Sequence, residues 1–128
     1  ILGDGELAEG SNWEALLFAS HHKLNNLVVI IDNNNLQSLT TVDETLNMES
    51  YREKLEAFGC NVINLDGHNH NELEAAFSYN NLTSKPLAVI AKTTKGKGVS
   101  FMENQVKWHY KSPNTEELST AIKEIDNA

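Results

Sequence analysis

Two clusters of polar residues in this chain have the types and spacing of a cation site. Gly3-Asp4-Gly5 stands near the start, and the run Asn33-Asn34-Asn35 follows the next predicted strand. A carboxylate, an amide oxygen and a backbone carbonyl make an all-oxygen ligand set of the kind that Mg²⁺ or Ca²⁺ prefers. The glycines on either side of Asp4 would let a diphosphate approach the backbone closely. The two clusters therefore predict a site for a cation and a phosphorylated ligand.

A helix is predicted between the two clusters, and it determines where they lie relative to each other in the fold. Apolar residues recur with helical spacing over residues 9–23, and Ser11 with Glu14 fits a capping box at the start. A helix that connects two parallel strands returns the chain to the same edge of the sheet. We therefore expect Asp4 and one asparagine of the run to lie side by side at the carboxyl ends of neighbouring strands, where open α/β sheets bind ligands.

Strand and helix patterns alternate along the rest of the chain. Short apolar runs predict strands at residues 27–31, 62–65 and 87–91. Three further helices are predicted. The first covers residues 51–58, and the second follows a cap formed by Asn69 and Glu72. The third follows Pro113-Asn114-Thr115 and has an apolar stripe of Leu118, Ala121, Ile122 and Ile125. This order predicts an α/β fold with a parallel sheet and helices on both faces.

Two long connections are expected to carry function. They run over about residues 33–49 and 93–112, and each follows a predicted strand, which places both at the ligand-binding edge. The chain begins with Ile1-Leu2 rather than methionine, which reads as the end of a strand whose start is missing. We therefore expect residues 1–128 to be the C-terminal portion of a single domain, and we expect this piece alone to associate or to dissolve poorly.

Charge and composition narrow the class of partner. The net charge of −8 argues against nucleic acid as the main partner and calls for a cation to screen any bound diphosphate. No apolar run approaches the roughly 20 residues of a membrane span. The single cysteine, Cys60, excludes an internal disulfide framework and reads as a small buried residue. We expect a cytoplasmic protein with no membrane partner.

Several segments together resemble one enzyme family. The resemblance is carried by Gly3-Asp4-Gly5-Glu6-Leu7-Ala8-Glu9-Gly10, Glu14-Ala15, His22-Lys23-Leu24-Asn25-Asn26-Leu27, Asp32-Asn33-Asn34, Asp66-Gly67-His68, Lys92-Thr93-Thr94-Lys95-Gly96-Lys97-Gly98 and Trp108-His109. They are similar to the thiamine-diphosphate motif and following segments of transketolases. The resemblance covers nearly the whole chain and is greatest to the N-terminal subunit of bacterial split transketolases, from its middle onward. It implies a partial thiamine-diphosphate-binding fold.

The resemblance implies a role for five residues. Asp4 matches a Mg²⁺ ligand, the family spacing selects Asn34 as the second side-chain ligand, and Leu36 matches a position that supplies a backbone carbonyl. Gly5 matches the glycine whose backbone N–H meets the diphosphate. His109 matches a histidine near the diphosphate and the substrate. The choice within the asparagine run remains open, because Asn33 or Asn35 would be the ligand if the strand shifted by one residue.

Two glutamates are candidates for a subunit interface. The resemblance implies that Glu9 and Glu14 lie where two subunits meet and link the two cofactors. The alternative for Glu9 is a plain helix start, since a helix N-terminus tolerates a carboxylate. The alternative for Glu14 is the capping box with Ser11. The resemblance implies a homodimer or a heterotetramer.

The lysine- and glycine-rich segment Lys95-Gly96-Lys97-Gly98 is not a Walker A loop, because the required spacing is absent. Its glycines are interpreted as hinges, and its lysines face either an anionic substrate or solvent. Among the five histidines only His109 is expected to act in the site. Tyr110 follows it where many relatives have glycine, so the local backbone is expected to differ.

The resemblance implies transfer of a two-carbon ketol unit between sugar phosphates, with thiamine diphosphate and Mg²⁺ as cofactors. The glutamate that meets the cofactor's pyrimidine ring comes from another domain in this family. We therefore expect the partner to be a pyrimidine-binding C-terminal transketolase subunit, and we expect no activity from this chain alone. The alternatives are another thiamine-diphosphate enzyme, such as deoxyxylulose-phosphate synthase or a dehydrogenase E1 component, and a non-catalytic module that binds a ligand or partner.

Overall fold

The chain forms a parallel sheet, as the alternating pattern predicts. A computed structural model describes residues 1–78 and 83–127. The strands are β1 Leu2–Gly3, β2 Val28–Asn33, β3 Asn61–Asp66 and β4 Leu87–Lys92. Their order in the sheet is β1-β2-β4-β3, and each neighbouring pair is parallel. The prediction of an α/β fold is confirmed.

Helices connect and cover these strands. They are α1 Asp4–Leu7, α2 Gly10–His21, α3 Val42–Thr45, α4 Tyr51–Ala57, α5 His70–Phe77 and α6 Thr115–Asp126, with a 3-10 helix at Val106–His109. The predicted cap at Asn69 is present, and Asn114, in the segment predicted to lead into the last helix, forms a full capping box with Glu117. Gly59, at φ 87°, lies just beyond α4, where a left-handed residue commonly ends a helix.

The start of α2 differs from the prediction. The helix begins at Gly10 with Glu9 at the N-cap position, and no side chain caps it. Ser11 and Glu14 therefore lie inside the first turns and do not form the predicted capping box, because a box needs its serine outside the helix. The indole of Trp13 instead donates to the carbonyl of Leu7 at 2.9 Å, which ties α2 to α1.

Helices pack on both faces of the sheet, and β4 shows why. Its side chains alternate between two buried clusters: Ala88 and Ile90 lie in one, and Leu87 and Val89 lie in the other. The first cluster includes core residues of α1, α2 and α4: Leu7, Leu16 and Leu55. The second includes Ala76 of α5. A central strand covered on both faces needs an apolar side chain at every position, which is the continuous run seen in the sequence.

Three further expectations can be compared with the structure. Cys60 is buried, and burial raises the pKa of its thiol, in agreement with a structural role. On α6 only Ala121 of the predicted stripe is buried, while Leu118, Ile122 and Ile125 are about half exposed. Within residues 1–78 and 83–127 no helix has the length and apolar character that crossing a membrane requires.

Candidate functional site

The register of β1 against β2 brings the two polar clusters together. Gly3 pairs with Asp32, so Asp4 and the asparagine run leave their strands side by side at the carboxyl edge of the sheet. This is the arrangement that the β-α-β spacing predicts. Asp4 begins α1, and its side chain points toward the run that follows β2.

The carboxylate of Asp4 is almost completely buried and accepts hydrogen bonds on both oxygens. Its Oδ2 accepts from the backbone N–H of Asn34 at 2.8 Å and of Asn35 at 2.7 Å. Its Oδ1 accepts from the amide Nδ2 of Asn33 at 2.9 Å and from the hydroxyl of Tyr51 at 2.9 Å. All of these donors are neutral. A cation bound at this carboxylate would therefore be its first charged partner among the described residues.

The three asparagines have different positions, which bears on the choice that the sequence left open. Asn34 lines a cleft beside Asp4, and its Oδ1 accepts from the N–H of Leu36 at 3.0 Å. Asn33 turns its amide nitrogen, not its oxygen, toward Asp4. Asn35 is exposed and has φ 62°, a left-handed conformation that asparagine tolerates. The backbone turns at Asn35, next to the two N–H groups that donate hydrogen bonds to Asp4 Oδ2.

The cleft beside Asp4 has a volume of about 610 Å³ and collects most of the residues singled out in the sequence. From that group it is lined by Asp4, Gly5, Glu9, Asn34, Leu36 and His109. Glu14 is exposed on α2 and does not line it. The structure therefore brings together the carboxylate, amide, glycine and histidine that were predicted from separate segments.

The connection after β4 places His109 and Lys95 at this cleft. Thr93 donates its hydroxyl to Asp32, which ties the start of the connection to β2. Trp108 then donates its indole N–H to the carbonyl of Phe101 at 2.9 Å, and this anchors the 3-10 helix that carries His109. Both His109 and Lys95 line the cleft, so the connection contributes a histidine and a lysine to the same space as Asp4.

Two glycines of this connection have left-handed backbone conformations. Gly96 has φ 72° and Gly98 has φ 91°, both in the left-handed region that side chains disfavour. A Cβ on Gly96 would lie 2.7 Å from the carbonyl oxygen of Met102, so this position also requires glycine on steric grounds. Lys97 lies 3.9 Å from the Glu103 carboxylate and lines a different cavity.

That different cavity, about 660 Å³, lies at the carboxyl ends of β2, β4 and β3. His68 lines it and accepts a hydrogen bond from the N–H of Thr94 through Nε2 at 2.8 Å. The N–H of His68 in turn donates to Asp66 Oδ1 at 2.9 Å. His68 therefore shapes the turn after β3 and joins it to the start of the connection after β4.

Two residues of the site were missed by reasoning from sequence. The amide Nε2 of Gln37 is buried, lacks a hydrogen-bond partner among the described residues, and belongs to a side chain that lines the cleft. This side chain lies beside Gly5, where an added Cβ would meet it at 3.6 Å. The other is Tyr51, whose pKa is raised by burial and by its hydrogen bond to Asp4. No motif in the sequence marks either residue.

The donor chemistry of the cleft fits Mg²⁺ and a diphosphate. Asp4, Asn34 and Leu36 all line the cleft, and they carry a carboxylate, an amide oxygen and a backbone carbonyl, which are ligand types that Mg²⁺ prefers. The unpaired Gln37 amide offers a hydrogen-bond donor for an anionic oxygen. The described residues hold no cluster of three or more His, Cys, Asp or Glu side chains suited to a metal, so the oxygen set around Asp4 is the arrangement to consider.

Comparison with known proteins places the chain in a family. Residues 1–125 match the family described as "Transketolase, thiamine diphosphate binding domain". An apulose-4-phosphate transketolase subunit of Phocaeicola vulgatus is 41% identical over 126 residues, which cover 98% of this chain and 45% of that protein. Human transketolase is 43% identical over 125 residues, which cover 98% of this chain and 20% of that protein.

The fold agrees with this assignment. The crystal structure of transketolase from Campylobacter jejuni superposes with a TM-score of 0.89 at 34% sequence identity, over 97% of this chain and 20% of that one. The chain thus spans less than half the length of the curated relatives named here. With its parallel sheet, its Asp4 cleft and these matches, the chain belongs to the transketolase family, within the thiamine-diphosphate-binding domain.

Proposed function

We propose that this chain is the thiamine-diphosphate- and Mg²⁺-binding part of a transketolase-like transferase that moves a two-carbon ketol unit between sugar phosphates. The observation that carries the proposal is the cleft in which the buried, neutrally bonded Asp4 carboxylate lies beside Asn34, Leu36 and Gly5. When bound, thiamine diphosphate supplies the carbon nucleophile that takes up the two-carbon unit. The chain's own residues bind and orient that group.

Three groups would hold the cation, and two donors would hold the diphosphate. The cation ligands are the Asp4 carboxylate, the Asn34 amide oxygen and the Leu36 carbonyl, which are the oxygen donors that Mg²⁺ prefers. The backbone N–H of Gly5 and the buried Nε2 of Gln37 would donate to diphosphate oxygens. The cation would also offset the acidity of a chain whose net charge is −8.

His109 and Lys95 would serve the substrate side of the cleft. Both lie on the connection after β4, opposite the strand that ends at Gly3, and both line the cleft. A lysine and a histidine supply donors for the oxygens of a phosphorylated sugar. We assign to His109 contact with the diphosphate and with the reacting sugar.

The proposed enzyme has a second component. Two of the similar proteins are named as one subunit of an apulose-4-phosphate transketolase, and the chain covers 45% of each. We propose that the partner is a pyrimidine-binding subunit, in a heterotetramer or, for a single longer chain, a homodimer. Glu9, at the start of α2 and in the cleft, and Glu14, exposed on α2, would face that interface. A cytoplasmic location accords with the single buried cysteine.

Calorimetry with thiamine diphosphate tests the binding half of this proposal. Wild-type chain should bind it only when Mg²⁺ is present, and Asp4→Asn should lower the affinity more than roughly 100-fold, since outer-shell partners alone account for 10–100-fold. Asp126→Asn, which removes a carboxylate at the far end of α6, is the matched control and should bind normally. Binding that is independent of Mg²⁺, or unchanged in Asp4→Asn, contradicts the cation site.

Activity measurements test the two-component half. The chain alone should not transfer a ketol unit from a ketose phosphate to an aldose phosphate, and addition of a pyrimidine-binding transketolase subunit should restore transfer. Transfer by the chain alone would refute the need for a partner. Thiamine diphosphate binding without transfer in any combination would favour a non-catalytic binding module.

A further inference from the structure

The hydroxyl of Tyr51 reaches the proposed cation ligand from the protein core. It donates to Asp4 Oδ1 at 2.9 Å across 47 positions of sequence, and both residues are buried. The tyrosine ring belongs to the hydrophobic cluster that also contains Leu7, Ile31 and Leu55. Because the ring is packed among these side chains, the direction from which its hydroxyl meets the carboxylate is set by the core.

Tyr51 is the first residue of α4, and polar contacts hold this end of the helix in place. The hydroxyl of Ser50 caps the helix by accepting from the N–H of Glu53, and Lys54 donates to the carbonyl of Met48 at 2.9 Å. Arg52 donates to the carbonyl of Val62 at 3.1 Å, which joins α4 to β3. The start of α4 is thus held by polar contacts on several sides, and Tyr51 is presented to Asp4 from a fixed element.

Tyr51 does not line the cleft that contains Asp4. It lines a smaller cavity of about 350 Å³, and the two cavities share Asn34 and Leu36. Tyr51 therefore lies on the other side of the asparagine run from the space where a cation and a diphosphate would bind. Tyr51 would therefore act on a bound cation through a residue that lies between them. Its hydrogen bond to Asp4 Oδ1 identifies Asp4 as that residue.

The four donors to Asp4 differ in how firmly they are held. Asn34 and Asn35 donate to Oδ2 through backbone N–H groups. On Oδ1, the Asn33 amide uses one of its two hydrogens for Asp4 and the other for Asn35 Oδ1 at 3.2 Å, so its own position is tied to an exposed asparagine. The Tyr51 hydroxyl is attached to a ring packed in the core, so it is the donor on Oδ1 that is fixed from the core side. Removing it leaves that oxygen with the Asn33 amide alone.

We propose that Tyr51 is a positioning residue for the cation site, which fixes the orientation of the Asp4 carboxylate from the core side of the asparagine run. The inference rests on the proposed function, because it takes Asp4 as a cation ligand. Ligating carboxylates are themselves oriented by hydrogen bonds, and loss of such an outer-shell partner typically lowers metal affinity 10–100-fold. Tyr51 extends the site from the two strand ends to α4.

The test measures cation affinity rather than turnover. Mn²⁺ replaces Mg²⁺ in the full chain at a fixed concentration of thiamine diphosphate, and the free Mn²⁺ is followed by electron paramagnetic resonance. The same titration without protein gives the Mn²⁺ that the cofactor alone binds, and this amount is subtracted. Tyr51→Phe keeps the ring and removes only the hydroxyl, and it should raise the Kd for Mn²⁺ roughly tenfold or more. Tyr51→Met also lacks the hydroxyl and fills the core with a flexible side chain, so it serves if the first variant does not fold.

A matched control separates positioning from general stability. Thr45→Val removes another hydroxyl hydrogen bond of 2.9 Å, the one to the carbonyl of Thr41, which does not touch Asp4. Without metal, the Tyr51 variants and Thr45→Val should all have a lower melting temperature than wild type. Only the Tyr51 variants should change the Kd for Mn²⁺. A Tyr51 variant that melts lower and binds Mn²⁺ with wild-type Kd overturns this inference and leaves the proposed function intact. A wild-type chain that binds no Mn²⁺ overturns both.

Discussion

The backbone N–H of Asn34 lies 2.8 Å from Asp4 Oδ2, although the two residues are 30 positions apart in the sequence. This bond joins the ends of two parallel strands and forms one wall of the cleft in which we place the cation and the diphosphate. The same carboxylate is reached from the core by Tyr51. Asp4 is therefore held by backbone groups at the sheet edge and by a tyrosine from the hydrophobic core.

Gly5 should be needed for cofactor binding and not for folding. A Cβ at this position would meet the Gln37 side chain at 3.6 Å, an ordinary van der Waals contact, so Gly5→Ala should fold as wild type does. The methyl group would occupy space beside the proposed diphosphate donors and weaken thiamine diphosphate binding in calorimetry. Gly10→Ala, in α2 and with open space around its Cβ, is the control and should bind normally. Equal affinities in the two variants would contradict the role of Gly5.

Gln37 should contribute a donor to the diphosphate. Gln37→Glu replaces the unpaired Nε2 with a carboxylate oxygen, which would repel a diphosphate. Loss of a hydrogen bond to a charged group costs about 1.5–3 kcal/mol, so affinity for thiamine diphosphate should fall at least roughly tenfold. Gln105→Glu adds the same charge at an exposed position and should have little effect. If calorimetry shows the same loss in both variants, the effect is one of net charge and not of Gln37.

The capping box of α6 should stabilise the chain. Asn114 accepts from the N–H of Glu117 at 2.9 Å, and the Glu117 carboxylate accepts from the N–H of Asn114 at 2.9 Å. Asn114→Ala should lower the free energy of unfolding in urea by about 1 kcal/mol. Asn127→Ala, at the other end of the helix, is the comparison, because its side chain only donates to the carbonyl of Lys123. An unfolding midpoint unchanged by Asn114→Ala would show that α6 frays independently of the core.

Cys60 should be unreactive in the folded chain and should make stability depend on alkaline pH. Burial raises the pKa of its thiol, so the folded state favours the protonated form. That contribution is fully present below the ordinary thiol pKa and is lost as the pH rises from there through the raised pKa of the folded chain, because over that range only the unfolded chain ionises. Thiol-reactive dye should label Cys60 slowly without denaturant and rapidly in urea, and Cys60→Ala should lessen the loss of stability above about pH 9. Rapid labelling of the folded chain would contradict burial.

Some of the site could be predicted because it depends on topology alone. A helix between two parallel strands must return to the same sheet edge, so the meeting of Asp4 with the asparagine run followed from spacing. The continuous apolar run of β4 likewise predicted a strand covered on both faces. Gly96 and Gly98, in the connection after β4, have left-handed conformations that favour glycine, while their interpretation as hinges stays a prediction.

Other features depend on packing that periodicity does not encode. The contact of Tyr51 with Asp4 depends on how α4 packs against β3 and β4, and a tyrosine at a helix start has no signature for such a contact. Gln37 was missed because an unpaired amide is visible only in three dimensions. The prediction of a capping box at Ser11 was wrong, because α2 begins earlier, at Gly10. The hydrogen bond from Trp13 to the carbonyl of Leu7 instead ties the start of α2 to α1.

A crystal structure of the chain with thiamine diphosphate and Mn²⁺ would show the cation ligands themselves, because anomalous scattering locates the cation. We expect one Mn²⁺ bound by an Asp4 carboxylate oxygen, the Asn34 amide oxygen and the Leu36 carbonyl, with diphosphate oxygens beside Gly5. A cation ligated by Asn33 or Asn35 in place of Asn34, or a diphosphate bound outside the Asp4 cleft, would contradict this expectation.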